Sequence, residues 1–121
     1  MALHTDTGIK GEQLALQYLQ EIGYQILDTN WHASHYEIDI VARDGNELVI
    51  VEVKTRRGET YGHPSEAVNN KKIHRLINAA ERYIHRYKID RDTRFDIVSV
   101  IFAGGKFTIE HIKDAFYPTA K

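Results

Sequence analysis

The sequence predicts an α/β domain in which a mixed sheet of about five strands is flanked by two helices, in the order αβββαββ. Two stretches place apolar residues at helical spacing, and five shorter stretches are apolar runs typical of strands. Asp44-Gly45 separates the second and third runs and is a strong hairpin signal. A chain of 121 residues, 42% of them hydrophobic, is expected to form a single domain over residues 1–121.

The two helices have recognisable ends. The first is predicted from about Thr7 to Ile22, because Thr5 and its neighbours offer N-terminal caps and Gly23 is a natural stop. The second is predicted to begin at residue 65 or 69 and to end at residue 87. This long helix connects the third and fourth strands, so we expect these two strands to be parallel, with a right-handed crossover.

The five strands follow from apolar runs that are bounded by turn residues. The segments "RDGN" and "AGGK" are expected to form the tight turns before the third and fifth strands. The predicted strands are residues 24–31, 36–42, 47–55, 94–102 and 107–112.

The composition narrows the class of protein. The chain contains no cysteine, which excludes disulfides and thiolate zinc sites. Its first residues lack the apolar run of a signal peptide, and no apolar stretch approaches the length that spans a bilayer. We therefore expect a cytoplasmic protein without a membrane partner.

Positive charge is concentrated in one segment. The whole chain has a formal charge of -1, yet residues 54–88 contain nine Lys and Arg against three acids, a local charge of +6. Such a segment is typical of a polyanion-binding surface, although a solvated helix face would have the same composition. The residues expected to contact backbone phosphates are Arg56, Arg57, Lys71, Lys72 and Arg75.

Charged residues interrupt the predicted hairpin of the second and third strands. Strand alternation predicts that Glu37 and Asp39 share a face, and that Glu52 and Lys54 share a face. Burying such groups without compensation costs several kcal/mol each, so a partner for them is expected. Cross-strand pairs of Glu and Lys that stabilise the sheet by roughly 0.2–1 kcal/mol are one explanation.

A divalent metal is the other explanation. Asp39 and Glu52 supply the oxygen ligands that Mg²⁺ prefers, and Mg²⁺ completes its coordination with waters and substrate phosphates. The ammonium of Lys54 could then hold the attacking water and offset charge that develops on a phosphate. Together with the basic segment, these residues predict phosphodiester hydrolysis with Mg²⁺ or Mn²⁺.

The segments "GIKGEQLALQYLQEIGYQILDTNW", "EIDIVARDGNELVIVEVKTR" and "YGHPSEAVNNKKIHRLINAAERYI" also carry a resemblance. The combination of "EID" on one strand and "VEVKTR" on the next resembles the PD-(D/E)xK nuclease superfamily, which includes Holliday-junction resolvases and restriction endonucleases. Over nearly its whole length the chain looks like the YraN family of bacterial proteins, described as endonucleases. The resemblance implies a restriction-endonuclease-like core.

The resemblance also implies residue roles. Asp39 matches the first motif aspartate, and Glu52 and Lys54 match the (D/E)xK pair, which implies two metal ligands and a catalytic lysine. Glu12 matches an additional helical glutamate of resolvase-like members, which binds a second metal or orients water. The backbone carbonyl of Val53 is a further implied ligand.

Other positions are less directly tied to the metal. The resemblance implies that Glu37 supports the site rather than coordinating the ion. Two positions depart from the family pattern, since Tyr36 replaces a glycine before Glu37 and His32 replaces an arginine. These departures affect the expected substrate contacts more than the chemistry.

The resemblance favours DNA over RNA as the partner, branched DNA included, and it raises the expectation of a homodimer. The alternative is a non-catalytic nucleic-acid-binding module on a nuclease scaffold. A third hypothesis is a protein-interaction domain with a structural charge cluster. Asp96 could support the site or could be a buried acid paired with Arg94 or a histidine. Tyr61 and His63 are further candidates for substrate contact, and the other histidines are expected at the surface or in the core.

Overall fold

The computed structural model describes residues 6–58 and 69–116, which form two helices and five strands. The predicted order αβββαββ is confirmed. The elements are α1 (Asp6–Glu21), β1 (Gln25–Ala33), β2 (Tyr36–Asp44), β3 (Glu47–Arg57), α2 (Asn70–Tyr87), β4 (Thr93–Ala103) and β5 (Lys106–Phe116). The predicted helix start at Ser65 and the candidates Tyr61 and His63 lie outside the described residues.

The five strands form one mixed sheet in the order β1-β2-β3-β4-β5. Neighbouring strands are antiparallel except β3 and β4, which are parallel, as predicted from the intervening helix α2. The sheet is therefore built from a three-stranded meander and a terminal hairpin, joined by the crossover. This arrangement fits the nuclease-like core that the resemblance implies.

Each helix covers one face of the sheet, and β3 contributes to both cores. Leu48 and Ile50 pack in a cluster with residues of α2, on what we call the α2 side. Val49 and Val51 pack in a second cluster with residues of α1, on what we call the α1 side. The alternation along β3 is regular, so the predicted apolar character of both faces of this strand is confirmed.

Helix α2 is defined by caps at both ends. The side chain of Asn69 accepts a hydrogen bond from the backbone N–H of Lys72 at 3.0 Å, and Lys88 ends the helix in a left-handed conformation. One stripe of the helix is buried against the sheet, and it consists of Leu76, Ile77, Ala79, Ala80 and Tyr83. In the described parts of the chain, neither helix is long and apolar enough to cross a membrane.

Helix α1 approaches the end of β3 very closely at Gly11. A Cβ atom at Gly11 would lie 2.1 Å from Oγ1 of Thr55, so only glycine fits this contact without a shift. The close approach brings the N-terminal half of α1 over the C-terminal half of β3. It thereby fixes the position of the next residue, Glu12, relative to the sheet.

Candidate active site

The backbone around Asp39 departs from a regular strand. Ile38 packs on the α2 side and Ile40 on the α1 side, although residues two apart in a regular strand share a side. On the neighbouring strand β1, Asn30 lies between two paired residues and has a φ of 50°. The alternation is therefore broken between Ile38 and Ile40, and the shared face of Glu37 and Asp39 stays a prediction.

Asp39 lies where the pairing of β2 with β3 ends. The last pair is Ile40 with Val51, and beyond it the Oδ2 atom of Asp39 accepts a hydrogen bond from the backbone N–H of Val53 at 2.9 Å. A side chain thus replaces the strand ladder at this point. The carboxylate of Asp39 is held against the backbone segment that carries Glu52.

Negative charge accumulates around Asp39. Burial and the nearby carboxylate of Glu52 raise the pKa of Asp39 to about 8, although the hydrogen bond from Val53 opposes this shift. The carboxylates of Glu12 and Glu37 raise the pKa of Asp39 further. The surroundings of Asp39 therefore favour either a proton or a cation.

Glu52 is held by two ammonium groups. Its Oε2 atom lies 3.4 Å from Nζ of Lys54 and 3.4 Å from Nζ of Lys72, and the Glu52 side chain is 12% exposed. Burial and the neighbouring ammonium of Lys72 lower the pKa of Lys54. Lys72, predicted only as a phosphate contact, is therefore also a direct partner of the acidic motif residue.

Glu12 and Asp39 line the same cleft. Its volume is about 320 Å³, and it lies between α1 and the irregular part of β1 and β2. Thr29 and Asn30 also line this cleft, and sequence reasoning did not single them out. Asparagine adopts positive φ more readily than most residues. The residue type at position 30 was therefore the one signal in the sequence for an irregular backbone there.

Glu37 has a partner of its own. It faces His32 across the β1–β2 pair, and the Oε2 atom of Glu37 lies 3.4 Å from Nε2 of His32. The resemblance leads one to expect an arginine at position 32. His32 therefore contacts Glu37 from the position where the family pattern has an arginine. The supporting role of Glu37 stays a prediction.

The predicted phosphate contacts lie around this cluster. Lys71 is exposed beside Lys72, and Arg75 is exposed one turn further along α2. Arg56 is half-buried at the end of β3, whereas Arg57 is exposed and donates a hydrogen bond to the hydroxyl of Thr7. The cations thus lie at the end of β3, after Glu52 and Lys54 in the chain, and in the first two turns of α2, where Lys72 contacts Glu52.

Asp96 belongs to a different network. It is fully buried and accepts hydrogen bonds from Arg94, from Tyr24 and from the backbone N–H of Asp114, and it lies 2.7 Å from Nε2 of His111. None of these four partners is a residue of the candidate site. The structure therefore shows the buried pair that the sequence left as one of two explanations, with both an arginine and a histidine.

The donor set can be compared with the needs of a divalent cation. Within residues 6–58 and 69–116, no three side chains of Asp, Glu, His or Cys are grouped so that they alone could hold a metal ion. Mg²⁺ commonly uses one or two carboxylates and takes its other ligands from water and substrate phosphates. Asp39 and Glu52 with the carbonyl of Val53 fit this second kind of site.

Comparison with known proteins gives a consistent set of similar sequences. The model of a family described as "Uncharacterised protein family UPF0102" matches residues 11–100. A UPF0102 protein of Bacteroides thetaiotaomicron is 51% identical over 118 residues, which cover 98% of both chains. UPF0102 proteins of Phocaeicola vulgatus and Parabacteroides distasonis are 45% and 48% identical, covering 98% and 97% of both chains.

Proposed function

This chain belongs to the UPF0102 (YraN) family, as its motifs predict, and we propose that it is a metal-dependent endonuclease that hydrolyses DNA phosphodiester bonds, including those of branched DNA. One observation carries the proposal. Where the pairing of β2 and β3 ends, the Asp39 carboxylate is hydrogen-bonded to the backbone N–H of Val53, between Glu52 and Lys54, and Nζ of Lys54 lies 3.4 Å from Oε2 of Glu52.

Each group at this point has a proposed role. Asp39 and Glu52 would hold Mg²⁺ or Mn²⁺ together with the carbonyl of Val53, and the bound ion would supply Lewis-acid chemistry at the scissile phosphate. Lys54 would hold the attacking water and offset negative charge that develops on the phosphate. Glu12, on the other wall of the cleft beside Asp39, would orient water.

The surrounding residues would orient the acids and receive the substrate. Lys72 would fix the rotamer of Glu52, since the two groups lie 3.4 Å apart, and Glu37 would support the cluster through His32. Backbone phosphates would be bound by the cations at the end of β3 and the start of α2. These cations are Arg56, Arg57, Lys71, Lys72 and Arg75.

The proposed substrate has consequences for assembly and compartment. A four-way DNA junction presents two equivalent strands for cleavage, and a homodimer would present one active site to each. A homodimer therefore stays a prediction for this protein. The similar proteins are bacterial, and bacterial DNA lies in the cytoplasm, which is therefore the proposed compartment. Binding to DNA should weaken steeply with salt, because each phosphate contact releases counterions.

A second candidate function is a non-catalytic nucleic-acid-binding module. One observation favours it, because two ammonium groups at 3.4 Å already compensate the charge of Glu52 without a metal. In such a module Lys54 and Lys72 would be structural partners of Glu52. Metal binding separates the two candidates.

Titration with Mn²⁺, followed by calorimetry, tests the metal directly. We expect the wild-type protein to bind Mn²⁺, and we expect Asp39→Asn and Glu52→Gln each to weaken binding at least tenfold, about 1.4 kcal/mol, because each removes one charged ligand. Glu110→Gln, a change at an exposed acid of β5, is the matched control and should bind as the wild type does. Absence of binding to the wild type, or equal binding to all four proteins, would favour the non-catalytic module.

A further inference from the structure

A second cleft lies on the α2 side, between the C-terminal half of α2 and the β1–β2 hairpin. Its volume is about 620 Å³, within the range of clefts that hold small ligands or single nucleobases. The proposed chemistry at Asp39 and Glu52 makes no use of it. Its lining includes the aromatic Trp31 and Tyr36, the cations Arg82 and Arg86, and one carboxylate, Glu81, so positive charge is in excess by one.

The cleft and its margin offer flat aromatic surfaces. The rings of His35 and Tyr36 lie 4.3 Å apart in a tilted stack, where β1 turns into β2. At the other margin, Tyr87 is 46% exposed and its ring lies 4.6 Å from that of Tyr83. The hydroxyl of Tyr87 accepts a hydrogen bond from Nε1 of Trp31 at 3.2 Å, which fixes the ring beside the cleft.

Two arginines add planar cations to these rings. The guanidinium of Arg82 lies 4.8 Å from the centre of the Tyr36 ring, and that of Arg86 lies 5.8 Å from the centre of the Tyr87 ring. Both arginines are exposed, and among the described residues no carboxylate lies within ion-pair distance of either. A guanidinium stacked on an aromatic ring presents a positively charged plane on which a further flat group can stack.

The cleft is connected to the candidate active site by the exposed face of α2. Lys71, Arg75, Arg82 and Arg86 are all exposed and recur at helical spacing along this face. The distance along the axis from Lys72, beside Glu52, to Arg86 is ~21 Å at 1.5 Å per residue. On the sheet, Tyr36 lies three residues before Asp39 on the same strand.

The chemistry of the cleft distinguishes between possible ligands. A duplex would use the positive charges but not the flat groups, since its bases are already stacked. An acidic peptide would also use the charges alone. A strand of unpaired nucleotides uses both, because its phosphates need cations and its bases stack on aromatic and guanidinium planes.

We propose that this aromatic and basic cleft binds an unpaired segment of DNA, with bases stacked on the Arg82 guanidinium that covers Tyr36 and on the exposed Tyr87 ring, and with phosphates against the cations of α2. The inference deepens the proposed function, on which it rests for its biological use. It defines the substrate class as DNA that carries a single-stranded arm next to the scissile bond. Binding itself requires no metal.

Fluorescence anisotropy with labelled oligonucleotides tests the cleft independently of cleavage. The probes are a 15-nucleotide oligo(dT), the same length of oligo(U), and a 15-base-pair duplex, all in EDTA. We expect the Arg82→Lys/Arg86→Lys protein to lose about fivefold or more in affinity for oligo(dT), because lysine keeps the charge but removes the stacking plane. Its affinity for the duplex should change less than twofold.

Two further proteins complete the experiment. Tyr87→Leu should weaken oligo(dT) binding by a similar factor, whereas Arg43→Ala/Lys113→Ala removes two exposed cations elsewhere and should leave the preference for oligo(dT) over duplex unchanged. Circular dichroism verifies that each variant is folded. If Tyr87→Leu does not fold, the Arg82→Lys/Arg86→Lys protein alone decides the result. Since no metal is present, a failure of the proposed nuclease chemistry does not affect these readings.

Four outcomes would overturn the proposal. The first is that wild-type protein does not bind oligo(dT) in EDTA, and the second is that the arginine-to-lysine protein binds it as the wild type does. The third is an equal loss for oligo(dT) and duplex, which would indicate a surface that recognises charge alone. Tighter binding of oligo(U) than of oligo(dT) would replace DNA with RNA as the ligand and would also contradict the proposal as stated.

Discussion

Replacing Lys54 with methionine is expected to reduce metal-dependent DNA cleavage by about 100- to 1,000-fold, the range found when one group that stabilises transition-state charge is removed. The side chain of Lys54 is 18% exposed, and its Nζ atom lies 3.4 Å from Oε2 of Glu52. Methionine is unbranched and matches the apolar stem of lysine up to its Cε atom, so the local packing should persist. The measurement is the initial rate of cleavage at saturating Mn²⁺.

The same variant should keep its metal affinity, because Lys54 is not a proposed ligand. Loss of cleavage with retained Mn²⁺ binding would therefore separate the lysine from Asp39 and Glu52. Lys113→Met, at an exposed position of β5, is the matched control and should cleave within twofold of the wild-type rate. A Lys54→Met protein that cleaves DNA as fast as the wild type would contradict the assigned role.

The second large effect is expected on stability. Replacing Asp96 with alanine should lower the free energy of unfolding by about 3 kcal/mol, since it removes one partner of a buried ion pair. Arg94, whose side chain is 11% exposed, would keep Asp44 and Glu47 as partners, which limits the loss. Urea unfolding at pH 7, monitored by circular dichroism, measures the difference.

The pH dependence identifies the cause of this stability. Burial tends to raise the pKa of Asp96, but hydrogen bonds from His111, Arg94 and the backbone N–H of Asp114 outweigh it and lower the pKa to about 2. Folding therefore favours the carboxylate form. Its contribution is complete above about pH 5 and is lost as the pH falls from about 4 to about 2, so the wild type and Asp96→Ala should converge over this interval.

Asp90→Ala provides the control for both measurements. Asp90 is an exposed acid between α2 and β4, and a surface change of this kind is expected to alter stability by less than about 0.5 kcal/mol. If Asp96→Ala proves as stable as Asp90→Ala, the network around Asp96 does not stabilise the fold. If the difference at pH 7 persists unchanged at pH 2, the carboxylate charge is not its source.

The sequence predicts the order of elements well because each signal is local. The Asp44-Gly45 turn identifies the β2–β3 hairpin, and the apolar stripe of α2 identifies the crossover that makes β3 and β4 parallel. Strand β5 extends to Phe116, beyond the predicted end at residue 112. The last residues of the strand, "KDAF" at 113–116, do not alternate between polar and apolar. The local pattern therefore does not indicate where the pairing of β5 with β4 ends.

The candidate site is harder to predict because its geometry depends on tertiary contacts. The residue types at Asp39, Glu52 and Lys54 are visible in the sequence, but the break in alternation between Ile38 and Ile40 and the positive φ of Asn30 on the neighbouring strand are backbone features that residue types do not specify. The contact between Lys72 and Glu52 joins residues twenty positions apart through the packing of α2. Spacing rules describe regular elements, and this site lies where two elements stop being regular.

The measurement that tests the proposed nuclease most directly is cleavage by the wild-type protein. Linear, flapped and four-way-junction DNA are incubated with the protein in Mg²⁺ or Mn²⁺, in parallel with EDTA and with Glu52→Gln. We predict that at least one of these DNA substrates is cleaved with the metal ion, and that EDTA or Glu52→Gln abolishes the cleavage. Binding of all three substrates without cleavage of any, or cleavage that persists in Glu52→Gln, would contradict an endonuclease built on Asp39, Glu52 and Lys54.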